Sequence, residues 1–226
     1  MKLSEEMKNK TLLSFELFPP KTEKGLQNLP GTIDHLMKYN PSYISCTYGA
    51  GGGNVGANRE VCQMIKNAGT TPVTHFTVIK NTKEGIKEQL DQYLADGVDH
   101  MLALRGDIPL GETTTCGDFD YATDLVKFVR DTYGDKFEIA VAGSPEGHIS
   151  CRSLESDIAV LKQKQDNGAD YIMTQLCWDM EQFKYWLDAI RKAGITMPVD
   201  VGVMPILDQA ATINMALSRN GCVMDR

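Results

Sequence analysis

The sequence predicts an α/β fold of the (β/α)8 TIM-barrel type, here with about seven βα units and the eighth missing. Three observations lead to this prediction. Short β-branched runs alternate with amphipathic stretches, the runs begin at intervals of 28 to 38 residues, and four of the stretches end at a glycine. Such an interval fits one strand, one helix and their two loops in this type of barrel.

The predicted strands are short apolar runs, seven in number, in which β-branched and aromatic residues are frequent. They span 11–17, 43–48, 72–77, 100–105, 137–142, 170–175 and 198–203. Strands that alternate with helices form a parallel sheet, and no linker or repeat divides the chain. We therefore expect a single barrel domain over residues 1–226, incomplete at its C-terminal end.

The predicted helices lie between these strands. Stretches 83–96 and 152–167 repeat apolar residues at intervals of three and four, which places them on one helix face. A glycine at the end of a helix accepts positive φ at little cost, so it marks the helix terminus. The glycines in this position are Gly69, Gly97, Gly168 and Gly194.

A doubly wound open sheet is the competing architecture. It would normally place G-x-G-x-x-G after the first strand, where this chain has F-P-P-K-T at 18–22. The glycine-rich G-A-G-G-G at 49–53 follows the second strand, and it lacks both that spacing and a Walker lysine. Alone it is more typical of a flexible loop than of a phosphate site, so the barrel is favoured.

Composition bounds the partners and the compartment. The 226 residues are 42% hydrophobic and carry a formal charge of -7, which argues against nucleic acid as a partner. Glu5 and Glu6 stand where a secretory signal needs apolar residues, and no apolar run approaches the roughly 18 to 20 residues of a membrane span. We expect a cytoplasmic protein, whose six cysteines, without a C-x-x-C pair, are reduced thiols.

Polar residues follow the predicted strands, at the end where a TIM-type barrel builds its active site. Each of them alone is as readily structural as functional, but together they place proton donors and acceptors from six strands on one predicted rim. These residues are Glu16, Thr47, Tyr48, His75, Arg105, Asp107, Glu146, His148 and Gln175.

The groups missing from this set narrow the chemistry. No lysine ends a strand, the nearest being Lys80, so an aldolase-type Schiff base has no nucleophile. None of the four histidines forms an H-x-x-x-H pair, and no metal site is expected. Carboxylates, amides, hydroxyls and one arginine suit an organic cofactor that carries the reaction while the protein orients and tunes it.

At these positions the sequence resembles the methylenetetrahydrofolate reductases, flavoenzymes of one-carbon metabolism. S-F-E-L-F-P-P-K-T at 14–22 is similar to the opening motif of that family, and C-T-Y-G-A-G-G at 46–52 to its second motif. L-A-L-R-G-D-I-P at 102–109 and T-Q-L-C-W-D at 174–179 resemble two more. The motifs occur in the order of the family between residue 14 and about residue 207, and their combination is highly specific.

The resemblance implies an FAD-dependent reduction of 5,10-methylenetetrahydrofolate to 5-methyltetrahydrofolate, with NADH or NADPH as the reductant. Glu16 would be the general acid that delivers a proton to the folate N5. Asp107 would hydrogen-bond the pterin and tune the flavin potential, and Gln175 would bind the pterin and meet the nicotinamide. Folate and nicotinamide would occupy the same flavin face in turn, which gives ping-pong kinetics.

The resemblance also implies a set of FAD-binding residues, of which Thr47 would lie near the nicotinamide as well. The set is Thr47, Tyr48, Ala50, His75, Arg105, Gly106, Asp107, Tyr121, Ala122, His148, Asp157 and Lys164.

The sequence departs from the family pattern in several places. Ser144 and Gln163 replace the aromatic and basic residues of some relatives, and Met215 falls where relatives place a stacking aromatic. The chain stops at Arg226, just after the N-G-C of 220–222, so the resemblance implies that the eighth βα unit is missing. Its absence would leave the first and seventh strands as edges.

Two alternatives stay open from the sequence. One is a truncated barrel that binds flavin or a partner subunit without turnover. The other is a phosphate-ligand lyase on the same barrel, which would be colourless. We also expect either a homo-oligomer or association with a partner subunit.

Overall fold

The computed structural model describes residues 2–48, 55–108, 111–148, 151–204, 206–210 and 212–213. The chain divides into two compact units, Met1–Ala140 and Val141–Arg226, and the division falls inside a strand. Each unit is described by itself below, and the single domain stays a prediction.

The first unit begins with a short helix and continues with four βα repeats. Its helices are α1 (Leu3–Glu6), α2 (Glu23–Met37), α3 (Val55–Asn67), α4 (Lys83–Ala95) and α5 (Ala122–Tyr133), followed by a 3-10 turn over Gly134–Lys136. Its strands are β1 (Ser14–Leu17), β2 (Tyr43–Cys46), β3 (Thr71–Thr77) and β4 (His100–Leu104).

Strand β5 (Glu138–Gly143) crosses the division, and the second unit continues the alternation. It contains α6 (Leu154–Asp166), β6 (Tyr171–Thr174), α7 (Met180–Lys192) and β7 (Val199–Asp200). In the sheet, each strand is hydrogen-bonded to the next strand along the chain, from β1 to β7. This is the order of a (β/α)8 TIM-type barrel, of which the described residues hold seven strands, as predicted.

The registers show parallel pairing within each unit. Glu16 of β1 lies beside Ser45 of β2, Ser45 lies beside Val73 of β3, and His75 lies beside Leu102 of β4. In the second unit, Ile172 of β6 lies beside Val199 of β7. Because paired residues in a parallel sheet share a face, these registers decide which side chains can meet.

The core of the first unit lies between the sheet and helices α3 to α5. Ile44, Phe76 and Ala103 on the strands and Ile65 and Leu90 on the helices are fully buried. Thr82 precedes helix α4 as its N-cap, and its hydroxyl accepts a hydrogen bond from the Gly85 amide.

Several smaller predictions are tested by the same structure. All four glycines expected to end helices have positive φ, between 69° and 104°. The five cysteines in the described ranges are free thiols, and Cys222 lies outside those ranges. In the part of the chain that the structure describes, no helix is long and apolar enough to cross a membrane.

Candidate active site

Glu16 and His75 meet at the carboxyl ends of β1 and β3. Glu16 Oε2 lies 3.5 Å from His75 Nε2, and the two side chains are 46% and 9% exposed. Burial lowers the pKa of His75 to about 4, so this histidine is neutral at pH 7. Burial also raises the pKa of Glu16, although its outer side stays open. The pair is thus a carboxyl group with a raised pKa that is accessible to a ligand, beside an uncharged imidazole.

Strand β3 separates two sets of polar side chains by its alternation. Thr74 Oγ1 donates to Asn58 Oδ1 of α3, and the Phe76 ring contacts Tyr93 of α4, so these side chains face the helices. His75 and Thr77 therefore face the opposite side of the sheet, the side of Glu16. Among the described residues, nothing hydrogen-bonds to His75 Nε2 or Thr77 Oγ1, although both atoms are buried.

The turn after β4 brings its backbone close to β3. Gly106 has a φ of 86°, and a Cβ built there would lie 3.1 Å from Ile79 and 3.2 Å from the Cβ of Thr77. Arg105 Nε donates to the Gly106 carbonyl at 3.2 Å, and Asp107 is exposed at the end of the turn. The R-G-D sequence thus lies against Thr77, with glycine at the closest point.

Tyr48 belongs to a hydrogen-bonded relay on the helix side of the sheet. Its hydroxyl donates to Gln89 Oε1 at 2.6 Å, Gln89 Nε2 donates to Asn81 Oδ1, and Asn81 Nδ2 donates to the Thr77 carbonyl. The Tyr48 side chain is 2% exposed, and the structure does not bring it together with Glu16. Thr47 is half-buried, and its amide donates to the Leu17 carbonyl at 2.9 Å.

Tyr121 and Ala122 form the start of helix α5. The Tyr121 amide donates to Asp124 Oδ2 at 3.0 Å, which caps the helix, and the Tyr121 side chain is 62% exposed. Ala122 is the first residue of the helix and is half-buried. An exposed aromatic ring beside a helix N-terminus can cover a flat or anionic ligand.

In the second unit the structure brings His148, Asp157 and Lys164 into one neighbourhood. Asp157 Oδ2 accepts from the His148 amide at 3.3 Å, and Asp157 Oδ1 accepts from the Cys151 thiol at 3.6 Å. Lys164 Nζ donates to the Ala142 carbonyl at 2.9 Å. Burial lowers the pKa of Lys164, while the negative charge of Asp157 opposes that shift.

Gln175 directly follows β6 and is anchored to the neighbouring strand. Its amide donates to the Gly143 carbonyl at 2.8 Å, and its Oε1 accepts from the Leu176 amide at 2.9 Å. The next part of this loop is held by Glu146, whose Oε1 accepts from the Trp178 and Asp179 amides at 3.2 and 3.4 Å. Glu146 therefore holds the part of the loop that follows Gln175.

Ala50, the remaining member of the predicted set, lies outside the described residues. Within the described ranges, no group of three or more His, Cys, Asp or Glu side chains is arranged to hold a metal ion.

A comparison with protein families matches residues 2–220 to the methylenetetrahydrofolate reductase model. The chain belongs to this family.

Individual relatives agree with that assignment. This methylenetetrahydrofolate reductase-family chain is 38% identical over 219 residues to methylenetetrahydrofolate reductase (NADH) 1 of Arabidopsis thaliana, covering 91% of this chain and 37% of the plant enzyme. It is 34% identical over 202 residues to the 5,10-methylenetetrahydrofolate reductase of Salmonella typhimurium, covering 89% of this chain and 67% of that enzyme. The chain thus spans little more than a third of the plant relative.

A solved structure supports the fold. A protein from Clostridium thermocellum, described as binding two copies of 5-methyl-5,6,7,8-tetrahydrofolic acid, superposes with a TM-score of 0.60 at 15% identity. The match covers 89% of this chain and 68% of that protein.

Sequence reasoning did not single out three residues that shape this reductase-family site, namely Thr77, Asn81 and Gln89. In the sequence, Thr77 indicates only that a β-branched residue favours a strand here. In the structure its hydroxyl is buried without a described hydrogen bond. The sequence pattern predicts a loop at Asn81 and a polar helix face at Gln89. Only the alternation of β3, taken from His75, could have indicated the direction in which Thr77 points.

Proposed function

We propose that this chain takes part in the flavin-dependent reduction of 5,10-methylenetetrahydrofolate to 5-methyltetrahydrofolate, with NADH or NADPH as the reductant. One observation carries the proposal beyond family membership. Glu16 has a raised pKa, is open on one side, and lies 3.5 Å from a neutral, buried His75. That is the environment a general acid needs near neutral pH.

The described residues fit FAD as the cofactor. His75 Nε2 and Thr77 Oγ1 are buried atoms without a described hydrogen bond, and the Gly106 backbone packs closely against Thr77. These residues would hold the cofactor, and the chemistry it would supply is hydride transfer between the nicotinamide and the folate. The residues proposed to hold it are Thr47, Tyr48, Ala50, His75, Arg105, Gly106, Asp107, Tyr121, Ala122, His148, Asp157 and Lys164.

The structure limits how two of these residues can act. Because the Tyr48 hydroxyl is engaged with Gln89, Tyr48 would contribute through its backbone. Lys164 has its ammonium on the Ala142 carbonyl and near the charge of Asp157, so it would offer an anionic ligand a cation that is already oriented.

Glu16 performs the protein's main chemical step in this proposal. Protonated Glu16 donates its proton to N10 of the folate, and not to N5, as the bond between N10 and the bridging methylene breaks and the five-membered ring opens. This leaves an iminium at N5, whose reduction by hydride gives the 5-methyl group. Since His75 is neutral, no cation at this contact stabilises the Glu16 carboxylate before the transfer. Burial, which raises the pKa of Glu16, therefore helps to keep the proton on Glu16 until the substrate takes it.

Asp107 and Gln175 orient the substrate in the same proposal. Asp107 is an exposed carboxylate at the end of the turn after β4, where it can accept hydrogen bonds from the pterin. Gln175, whose amide oxygen is fixed by the Leu176 amide, would bind the pterin and meet the nicotinamide in the alternate half-reaction. Because the two substrates would bind in turn to the same face of the flavin, the kinetics would be ping-pong.

The first test is the absorption spectrum of the purified chain after incubation with FAD. A yellow protein that is bleached by NADH or NADPH under anaerobic conditions supports the proposal. A colourless protein that does not take up FAD contradicts it and returns the phosphate-ligand lyase to consideration. A flavin that is bleached but is never reoxidised by 5,10-methylenetetrahydrofolate identifies a chain that binds cofactor without turnover.

Replacing Glu16 by glutamine tests the proposed acid. We expect Glu16→Gln to slow flavin reoxidation by 5,10-methylenetetrahydrofolate by roughly 100- to 10,000-fold, because general acid catalysis has that magnitude. Bleaching by the nicotinamide should stay nearly unchanged, since that half-reaction needs no proton from Glu16. Anaerobic stopped-flow absorbance measures the two halves separately.

Glu23, exposed in the first turn of α2, provides the control. Glu23→Gln should leave both half-reactions at wild-type rates. Equal slowing of both half-reactions in Glu16→Gln would assign Glu16 a structural role instead.

The cytoplasmic location, the homo-oligomer and the partner subunit stay predictions.

A further inference from the structure

Thr77 is an unusual residue in the first unit because a buried hydroxyl normally has a partner. The residue is 3% exposed, and no described residue hydrogen-bonds to its Oγ1. Burying a hydroxyl without a hydrogen bond destabilises the folded state, so its presence calls for a physical reason. Valine would fill nearly the same space in this strand without that cost.

The direction of the hydroxyl's side chain follows from the contacts of its neighbours on β3. Thr74 and Phe76 contact α3 and α4, so Thr77 faces the other side, together with His75. His75 Nε2 is also buried and lacks a described hydrogen bond. Two successive inward positions of one strand therefore present buried atoms without a described hydrogen bond, and one of them, His75 Nε2, lies 3.5 Å from Glu16 Oε2.

The turn after β4 packs its backbone closely against Thr77. At Gly106 a Cβ would approach the Thr77 Cβ to 3.2 Å, so any larger residue there would press on this side chain. The Thr77 backbone is fixed as well, because its carbonyl accepts from Asn81 Nδ2 at 3.1 Å. The Thr77 backbone is thus fixed, while no described residue forms a hydrogen bond with its hydroxyl.

We propose that Thr77 is a further cofactor-binding residue, whose hydroxyl forms a hydrogen bond with the flavin that His75 also contacts. This inference rests on the proposed function and adds a residue outside the predicted FAD set. The ligand class follows from the two side chains: a flat heteroaromatic ring with polar atoms along its edge can satisfy both at once. Thr77 would bind and orient the cofactor without transferring a proton.

The test compares the FAD affinity of wild type, Thr77→Val and Thr77→Ser, measured as Kd by quenching of flavin fluorescence. Thr77→Val should raise the Kd by roughly 3- to 10-fold, which corresponds to one lost hydrogen bond. Thr77→Ser keeps the hydroxyl and should stay near wild type. The thermal midpoint of the FAD-free Thr77→Val protein should equal or exceed that of wild type, because an unpaired buried hydroxyl has been removed.

Thr74→Val is the matched control on the opposite face of the same strand. Its hydroxyl is already bonded to Asn58, so this change should lower the thermal midpoint and leave the Kd unchanged. The inference is overturned if wild type binds FAD and Thr77→Val binds it equally well, or if Thr77→Ser loses as much affinity as Thr77→Val. Failure of wild type to bind FAD would instead contradict the proposed function.

Discussion

Gly106 shows at the residue scale how closely the site is built. Its positive φ and the short distances to Ile79 and Thr77 are two separate reasons for glycine, one from the backbone and one from the neighbours. Gly111 has a similar φ of 90°, but a Cβ there would meet nothing within 4 Å. Comparing alanine substitutions at the two glycines therefore distinguishes the effect of backbone strain from that of steric contact.

Gly106→Ala should lower the free energy of unfolding by roughly 1 to 3 kcal/mol and weaken FAD binding, because the added methyl displaces Thr77 or Ile79. Gly111→Ala introduces only backbone strain, so it should lower the free energy of unfolding by less and leave the FAD affinity unchanged. Urea denaturation and flavin fluorescence titration measure the two effects. Equal losses in both variants would show that the contact with β3 is unimportant.

At the scale of elements, Asn58 of α3 connects that helix to two strands and a second helix. Its Nδ2 donates to the Cys46 and Thr47 carbonyls, both at 3.0 Å, while its Oδ1 accepts from the Thr74 and Tyr93 hydroxyls. The residue is fully buried. One amide thus satisfies polar groups from β2, β3 and α4 that would otherwise be buried without partners.

Asn58→Ala should lower the free energy of unfolding by about 3 kcal/mol or more, since several buried groups lose a partner together. Asn58→Asp replaces the donor by a carboxylate oxygen that faces the Cys46 and Thr47 carbonyls, so near neutral pH it should destabilise the chain at least as much as alanine does. Asn67→Ala, an exposed change on the same helix, should have little effect. A Asn58→Ala midpoint in urea equal to that of Asn67→Ala would contradict this assignment.

The elements themselves could largely be predicted, because apolar periodicity and glycine ends are local signals. The predicted 83–96 helix is Lys83–Ala95 and the predicted 72–77 strand is Thr71–Thr77. The run at 198–203 is a strand only over Val199–Asp200. Polar partnerships such as that of Asn58 could not be predicted, since a buried asparagine and an exposed one look alike in a helical pattern.

At the scale of the whole molecule, a buried ion pair ties the start of the chain to β4 and β5. Glu138 accepts from the Leu3 and Ser4 amides at 2.7 and 2.8 Å and lies 3.0 Å from His100 Nε2. Burial lowers the pKa of His100, but the contacts with Asp99 and Glu138 outweigh it and raise the pKa to about 9. Burial raises the pKa of Glu138, but His100 and Ser4 outweigh it and lower the pKa to about 2.

These shifts predict a defined pH range of maximal stability. The His100 contribution is complete below its ordinary pKa of 6.5 and is lost as the pH rises through about 9. The Glu138 contribution is complete above its ordinary pKa of 4.5 and is lost as the pH falls through about 2. The free energy of unfolding that this pair supplies should therefore be greatest between pH 4.5 and 6.5, as measured by urea denaturation across pH.

Glu138→Gln should destabilise the chain more at pH 6 than at pH 10, because the ion pair is absent at the higher pH. Glu84→Gln, exposed in the first turn of α4, serves as the control and should show no such difference. A loss that is the same at both pH values would show that Glu138 acts only through its hydrogen bonds to the first helix.

The relay from Tyr48 to Thr77 has a consequence for how this protein tolerates variation. Its three hydrogen bonds all run in one direction: Tyr48 donates to Gln89, Gln89 donates to Asn81, and Asn81 donates to the Thr77 carbonyl. A change at either amide breaks two bonds, and turning one amide around opposes its dipole to that of the next. In a library in which both positions are randomised, the residues found at 89 and 81 in stable variants should therefore depend on each other. This holds even though Gln89 and Asn81 are eight residues apart and lie in different elements.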